Sequence, residues 1–470
     1  MGIIAAIKGW WNRMFFKADA KRIFDVDILL SDQMDNAIRI WNQIYAGHPS
    51  WVNKENNVKT INFAKSVSSE TARLACLDLS IKVSGSARAE YLQSVVDNMF
   101  GKIREYVERG CVNGTIILKP NGDGIDCFDP QRFLPTEVDG NGNIRAGIFF
   151  DFYEQSKKHY KRLEYHRFAE DGVYLISNRC FVSDSSTSLG VETDMEKTPW
   201  KGLLPDVGVL NLEKPMFSVF KTPMANNIDL GSPLGMSIFA EALEELQDLD
   251  VAYSRNAGEI FDSERIVLAD DRLMFQGSVK DADGNVIRKY LKKPRYVKNV
   301  LSESADNFYQ EINPNLNTDT RIKGINNILS ILAYKCGYSN GYFSFDSMTG
   351  IQTATGVEAS QQRTIQFIKD VRDKLEITMD DLIYAIDKYA DLYDLAPVGV
   401  YEVEYGFGDI CYNYEEDKKT WWGYVTAGKV PAWMYFVKFE NMSEDEAKAM
   451  QAELDAAEAE KMNAGLYGEE

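Results

Sequence analysis

The clearest periodicity in the chain lies near its C-terminal third. Ile365, Ile368, Val371, Leu375, Met379, Leu382, Ile386 and Tyr389 recur in steps of three and four, with Arg363, Lys369, Asp370, Arg372, Asp373, Lys374, Asp380, Asp381 and Asp387 between them. Such spacing keeps one helical face apolar and the other charged. Thr355, with Glu358 three residues on, reads as a capping box that starts the helix. Roughly 35 residues at 1.5 Å rise predict a rod of about 50 Å, longer than one ordinary domain core requires. Ahead of it runs a glycine-broken loop from Gly337 to Thr355, with Gly341 and Gly350 inside it.

Before that loop the pattern is mixed. Ile38, Trp41, Ile44 and Tyr45 share a helical face that ends at Gly47-His48-Pro49-Ser50. A second helix is predicted over 62–79, with Phe63, Val67, Leu74 and Leu77 inward and Ser68, Ser69, Glu70 and Arg73 on its polar side. A third is predicted over 87–109, closed by Gly110. Thr115–Leu118, the turn at 120–124 and the hairpin signal Asp139-Gly140-Asn141-Gly142-Asn143 predict β structure, as does the stretch holding Tyr160, Leu163, Tyr165 and Phe168. His159 and His166 are seven apart in that stretch, which puts them on opposite faces and predicts surface positions.

Ser232-Pro233 reads as N-cap and first helical residue of a helix carrying Leu234, Ile238, Leu246, Leu249, Tyr253 and Ile260 to about 262. Short strands follow over 264–316, among them 265–268 and 308–312. A helix from about 318 to 336 then presents Ile322, Ile325, Ile328, Leu329 and Leu332. Helix, small β module, helix is thus a long hairpin. Past the long helix come a strand over 399–405 and a helical tail, in which Ser443 and Glu446 form another capping box.

Charge sharpens this picture. The formal net charge is −19, which argues against a chain that grips nucleic acid over its whole surface. Between 280 and 298, however, Lys280, Arg288, Lys289, Lys292, Lys293, Arg295 and Lys298 face only Asp281 and Asp283, a local excess of five positive charges. From Ser443 onward nine acids meet two lysines, so the tail carries −7. With 45% apolar residues and no low-complexity block, most of the 470 residues should be ordered. No apolar run approaches the ~20 residues of a membrane span. The opening stretch, with Trp10 and Trp11, reads as a short amphipathic arm that packs on a neighbour rather than a signal peptide.

Catalytic chemistry is not in view. Six cysteines without a C-x-x-C pair and three histidines favour free thiols over a zinc site. No phosphate loop, G-x-G-x-x-G after a strand, H-E-x-x-H or G-x-S-x-G occurs. The loops at 121–124, 139–141 and 281–285 lack the bidentate Glu of a calcium hand and read as turns. Asp123, Asp126 and Asp129 read as turn acids. The expectation is a non-enzyme with no cofactor.

In its order of parts the chain resembles the portal proteins of tailed bacteriophages, especially long-tailed phages of Gram-positive hosts. The likeness is carried by Trp41-Asn42-Gln43-Ile44-Tyr45 with Trp51, by Asn62–Lys65 through Ala75-Cys76-Leu77, and by Pro215–Lys221 leading to Asn226-Asn227 and Gly231–Gly235. Thr353-Ala354-Thr355-Gly356-Val357, Val425–Lys429 and Glu444–Ala447 continue it. Such portals often have an acid directly after the T-A-T triplet, where this chain has Gly356 and then Glu358. No single motif is diagnostic.

The resemblance implies an α+β, mainly helical subunit of a twelve-copy ring at one capsid vertex, with double-stranded DNA crossing its axis. By likeness 1–230 and 395–408 form a wing, 233–262 and 318–336 stem helices, and 263–317 a clip. The segment 337–354 is then a tunnel loop, 355–394 the wing helix and 409–470 a helical crown. Tyr338, Asn340, Tyr342, Ser344 and Gln352 would face DNA, and Arg288, Lys289, Lys292, Lys293, Arg295 and Lys298 would form the clip patch. Implied partners are other copies, DNA, a terminase, the major capsid or scaffolding protein and a head-completion adaptor. No membrane partner is implied. The place is the virion, with assembly in the host cytoplasm. Twelve copies sum to 12 × −19 = −228, a wall along which a polyanion slides. Two other readings use the same features: a virion or membrane-surface scaffold docked through the Trp10-Trp11 arm, and a DNA-acting enzyme with a scattered carboxylate site.

Overall fold

Where the apolar periodicity is strong, the helices form with that stripe buried. The computed structural model describes residues 17–52, 57–122, 124–262, 317–345, 354–410, 414–440 and 442–466, and the backbone of five strands between 266 and 312; side chains over 260–316, 346–360, 411–417 and 457–466 are not among the described features. The chain is α+β.

Ser31 starts the helix Asp32–Tyr45 by accepting the Met34 amide, and Asp32 and Asp35 favour its positive end. Its stripe of Met34, Ile38, Trp41 and Ile44 is buried. The next helix, Phe63–Ala75, buries Phe63, Ala64, Val67 and Leu74. Ser68, expected on the polar side, is instead fully buried, and its hydroxyl donates to the Ala64 carbonyl. A strand that the pattern did not predict, Ser80–Ser84, pairs antiparallel with Glu402–Gly406.

The single helix expected over 87–109 is two, Ala87–Phe100 and Ile103–Asn113. Gly110 does not close the second. It sits inside it because a Cβ there would lie 2.5 Å from the Phe220 ring. The closing glycine is Gly114, at φ +72°, a conformation glycine adopts without cost.

Thr115–Asn121 is the middle strand of three, between Ser218–Lys221 and Gly124–Phe128. A larger sheet runs Phe133–Val138, Ile144–Gln155, Lys158–Phe168, Tyr174–Ser183, Val191–Thr193, with Asp206–Val209 also on Tyr174–Ser183. The hairpin turn at 139–143 forms as expected, with the Asp139 carboxylate accepting the Asn141 and Asn143 amides. Lys161 to His166 are all buried, so this strand is covered on both faces. His166 is therefore no surface residue. It lies between Glu164 at 2.8 Å and Tyr174 at 2.9 Å, while His159 is half-buried beside Glu154.

The helix expected from Ser232 begins only at Leu243 and runs to Asp262. Ser232 does accept the Leu234 amide, but the following amides are taken elsewhere: Gly235 donates to Thr115 Oγ1 and Ile238 to the Cys111 carbonyl. Met236 O accepts from Thr222. The segment is thus threaded through the core instead of coiled.

The long helix spans Ala354–Tyr393, so Thr355 lies inside its first turn, and its capping side chain lies outside the described residues. Ile368, Val371, Leu375, Met379, Leu382 and Ile386 are buried. From Thr364 to Ala390 one face of the helix packs on this chain's own core. Arg372, also buried, donates to the carbonyls of Leu74, Ala75 and Gly408, satisfying the end of the helix Phe63–Ala75. Three helices, Tyr414–Thr426, Ala432–Glu440 and Glu444–Leu466, complete the chain. Ser443 and Glu446 make the reciprocal bonds of a capping box.

Candidate functional site

Leu243–Asp262 and Thr318–Lys335 form an antiparallel pair. Near its root Lys335 Nζ meets Glu245 at 2.6 Å, and near its far end Glu259 takes the Asn317 amide at 2.9 Å and pairs with Arg321. Fourteen residues separate Glu245 from Glu259, and fourteen separate Arg321 from Lys335, so the two clamps lie about 21 Å apart along the pair. The root is tied to the core by Asp250, 3% exposed, which accepts from Trp51 Nε1 and from the Ile61 amide. Ile325, Leu329, Leu332 and Ala333 are buried, whereas Ile331 and Tyr334 stand half exposed on the other side.

Between the far ends of these helices lie the five short strands. Ile266–Ala269 pairs parallel with Tyr296–Lys298 and antiparallel with Tyr309–Ile312, and Phe275–Lys280 pairs with Val286–Tyr290. Of the expected basic patch, Arg288 and Lys289 fall on the strand Val286–Tyr290, opposite Ser278 and Gly277, and Lys298 ends the strand Tyr296–Lys298. Lys292, Lys293 and Arg295 lie outside the described residues.

At the root, the described start of the loop after Lys335 is anchored to the core. Gly337, at φ +87°, lies so near Phe367 that a Cβ would come within 2.7 Å of the ring. Tyr338 is fully buried, its hydroxyl 2.7 Å from Thr71 and its ring among Tyr342, Phe343 and Phe367. Ser339 and Thr364 exchange bonds. Tyr342 donates to Glu70 at 2.5 Å, and Phe343 meets Phe63 edge-on. Burial and Glu70 raise the Tyr342 phenol well above its usual range. The Arg73 guanidinium leads in holding Glu70 below the usual carboxylate range.

Tyr338 is therefore a core residue and not a channel-facing one, and Tyr342 is half-buried against the helix Phe63–Ala75. Asn340 and Ser344 are exposed, and Gln352 lies outside the described residues. The pairings of Tyr338 with Thr71 and of Ser339 with Thr364 left no signal in the sequence except the density of aromatics in Tyr338–Phe345.

The scattered carboxylates have structural partners. Asp129 is 2.6 Å from Arg109, and Asp126 accepts from Asn121; Asp123 lies outside the described residues. Among the described residues no cluster of His, Cys, Asp and Glu has the makings of a metal site, and no helix is long and apolar enough to cross a membrane.

No protein-family model matches the chain, and no curated protein matches it. Among solved structures, the chain is similar to a chain in the virion of a native gene transfer agent (GTA) particle, with 10% identity and a TM-score of 0.39, over 88% of this chain and 94% of that one. It is also similar to a chain in the neck of an empty GTA particle computed with C6 symmetry, with 10% identity and a TM-score of 0.40, over 86% of this chain and 93% of that one.

Proposed function

We propose that this chain is a portal-type subunit: a structural component of a phage-like particle whose copies close into a ring around double-stranded DNA. The observation that carries the reading is the clamped helix pair. Two antiparallel helices leave one α/β core, hold each other at Glu245–Lys335 and Glu259–Arg321, and bear a small β module at their far end. A hairpin that long, with Ile331, Tyr334 and Tyr253 exposed on it, gains stability when copies stand side by side. The negative total charge suits a wall past which DNA slides.

In this reading the ring has twelve copies and sits at a capsid vertex of the virion. The basic β module faces the tail side, where a head-completion adaptor or exiting DNA meets it. The terminase hydrolyses ATP, consistent with a chain that has no phosphate loop. Asn340 and Ser344, exposed on the loop, and Gln352 further along it are the residues set to touch DNA. Negative-stain microscopy of the purified protein tests the reading. Annular particles with a central hole wide enough for duplex DNA are expected, and a field of isolated single-copy particles overturns it.

A further inference from the structure

Among the described residues the strands Ser80–Ser84 and Glu402–Gly406 form a two-stranded sheet, and its two outer edges are treated differently. On one edge Gln93 stands in for a third strand: its side-chain oxygen accepts the Val83 amide at 2.6 Å and its nitrogen donates to the Ile81 carbonyl at 3.2 Å. Those bonds fix the parity of the ladder. Ile81 and Val83 turn outward, so their partners Tyr405 and Val403 turn their own amides and carbonyls to the opposite outer edge. There, among the described residues, no bond reaches the backbone of Val403 or Tyr405. One edge is closed and the other open, and an open edge is a template for an added strand.

The surroundings specify what fits. On the sheet's outer face Glu402 and Glu404 are exposed, preceded by Val398 and Val400 at 87% and 81% exposure. On the opposite, inner face Tyr405 donates to Asp380. The added strand should therefore bring cations and apolar groups and no carboxylate, since like charges directly across a ladder are destabilising. Residues 1–16 of this chain have that chemistry: Lys8 and Arg13 with no acid, and Ile3, Ile4, Ile7, Trp10 and Trp11. Extended, sixteen residues reach about 50 Å. We infer that residues 1–16 of an adjoining copy lie along the Val403–Tyr405 edge as a third strand, stitching neighbours together. This rests on the ring reading above.

Hydrogen exchange on assembled full-length rings tests it, against rings lacking residues 1–16. The amides of Val403 and Tyr405 should exchange at least about tenfold faster in the shortened protein, while those of Lys82 and Glu404, which face each other, stay protected in both. A variant carrying Asn12→Cys and Glu402→Cys should, on oxidation, give a ladder of linked chains. Equal exchange at Val403 and Tyr405 in both proteins overturns the inference, as does a link that closes within one chain. Rings with fast-exchanging edge amides refute this inference alone, whereas absence of rings from the full-length protein refutes the ring reading itself.

Discussion

The phenol oxygen of Tyr338 lies 2.7 Å from the hydroxyl of Thr71, and both side chains are fully buried. This contact makes the first half of the glycine-broken loop part of the core. Removing the ring in Tyr338→Ala should cost about 3–5 kcal/mol, and Tyr338→Phe, which loses only the hydrogen bond, about 1 kcal/mol. Urea denaturation measures both. A Tyr338→Ala protein as stable as the parent contradicts the placement.

Gly114 and Gly235 face each other backbone to backbone. A Cβ on Gly114 would lie 2.3 Å from the Gly235 carbonyl oxygen, and one on Gly235 would lie 2.3 Å from that of Gly114. Gly114→Ala and Gly235→Ala should each lose about 3 kcal/mol, through overpacking and, at Gly114, a strained φ as well. The change in thermal midpoint reports it, with Gly122→Ala, whose φ is also positive but whose Cβ meets nothing, as the milder control.

The buried His166 sets a pH dependence. Tyr174 Oη accepts the Met216 amide and passes its own hydrogen to His166 Nδ1, which leaves Nε2–H to donate to Glu164. Burial lowers the proton affinity of His166, against the pull of Glu164. The unfolded chain therefore binds this proton first. Stability from neutral His166 is complete above about pH 6.5 and is lost as pH falls from there through the lower folded value. Glu164 acts in the same sense at lower pH. Burial opposes its charge, but Lys119, His166 and Arg162 hold it well below the usual range, so its contribution fades below about pH 4.5. Thermal midpoints from about pH 8 to pH 4 should stay level and then drop, and His166→Gln should flatten the upper part of the drop. An unchanged profile in that variant contradicts the assignment.

The basic module should act in attachment, not in assembly. Reversing Lys292 and Lys293 to Glu should leave rings intact while tail attachment or DNA retention fails, read as infectious titre and DNA content of variant particles. Full infectivity removes the module from that role.

Much of the architecture was legible because it rests on local chemistry. The stripe Ile368–Ile386, the Asp139 turn and the Ser443–Glu446 box are each set by a few neighbouring residues. Several misreadings came from distant partners. Ser232-Pro233 carries a sound helix-start signal, but Thr115 and Cys111 take the amides a helix would have used. Gly110 resembles a stop until Phe220 is placed against it. His166 and Ser68 look polar and outward until a second layer covers them. At the candidate site the helix pair and its module were visible as an order of elements. The anchoring of Tyr338–Phe343 to the core was not, because Thr71, Phe63 and Thr364, which impose it, lie in other helices.

The central claim is closure into a ring, and native mass measurement of the purified full-length protein tests it most directly. Twelve copies of 53.3 kDa predict a single species at 12 × 53.3, about 640 kDa. A monodisperse 53.3 kDa monomer at micromolar concentration across low and high salt would contradict the account.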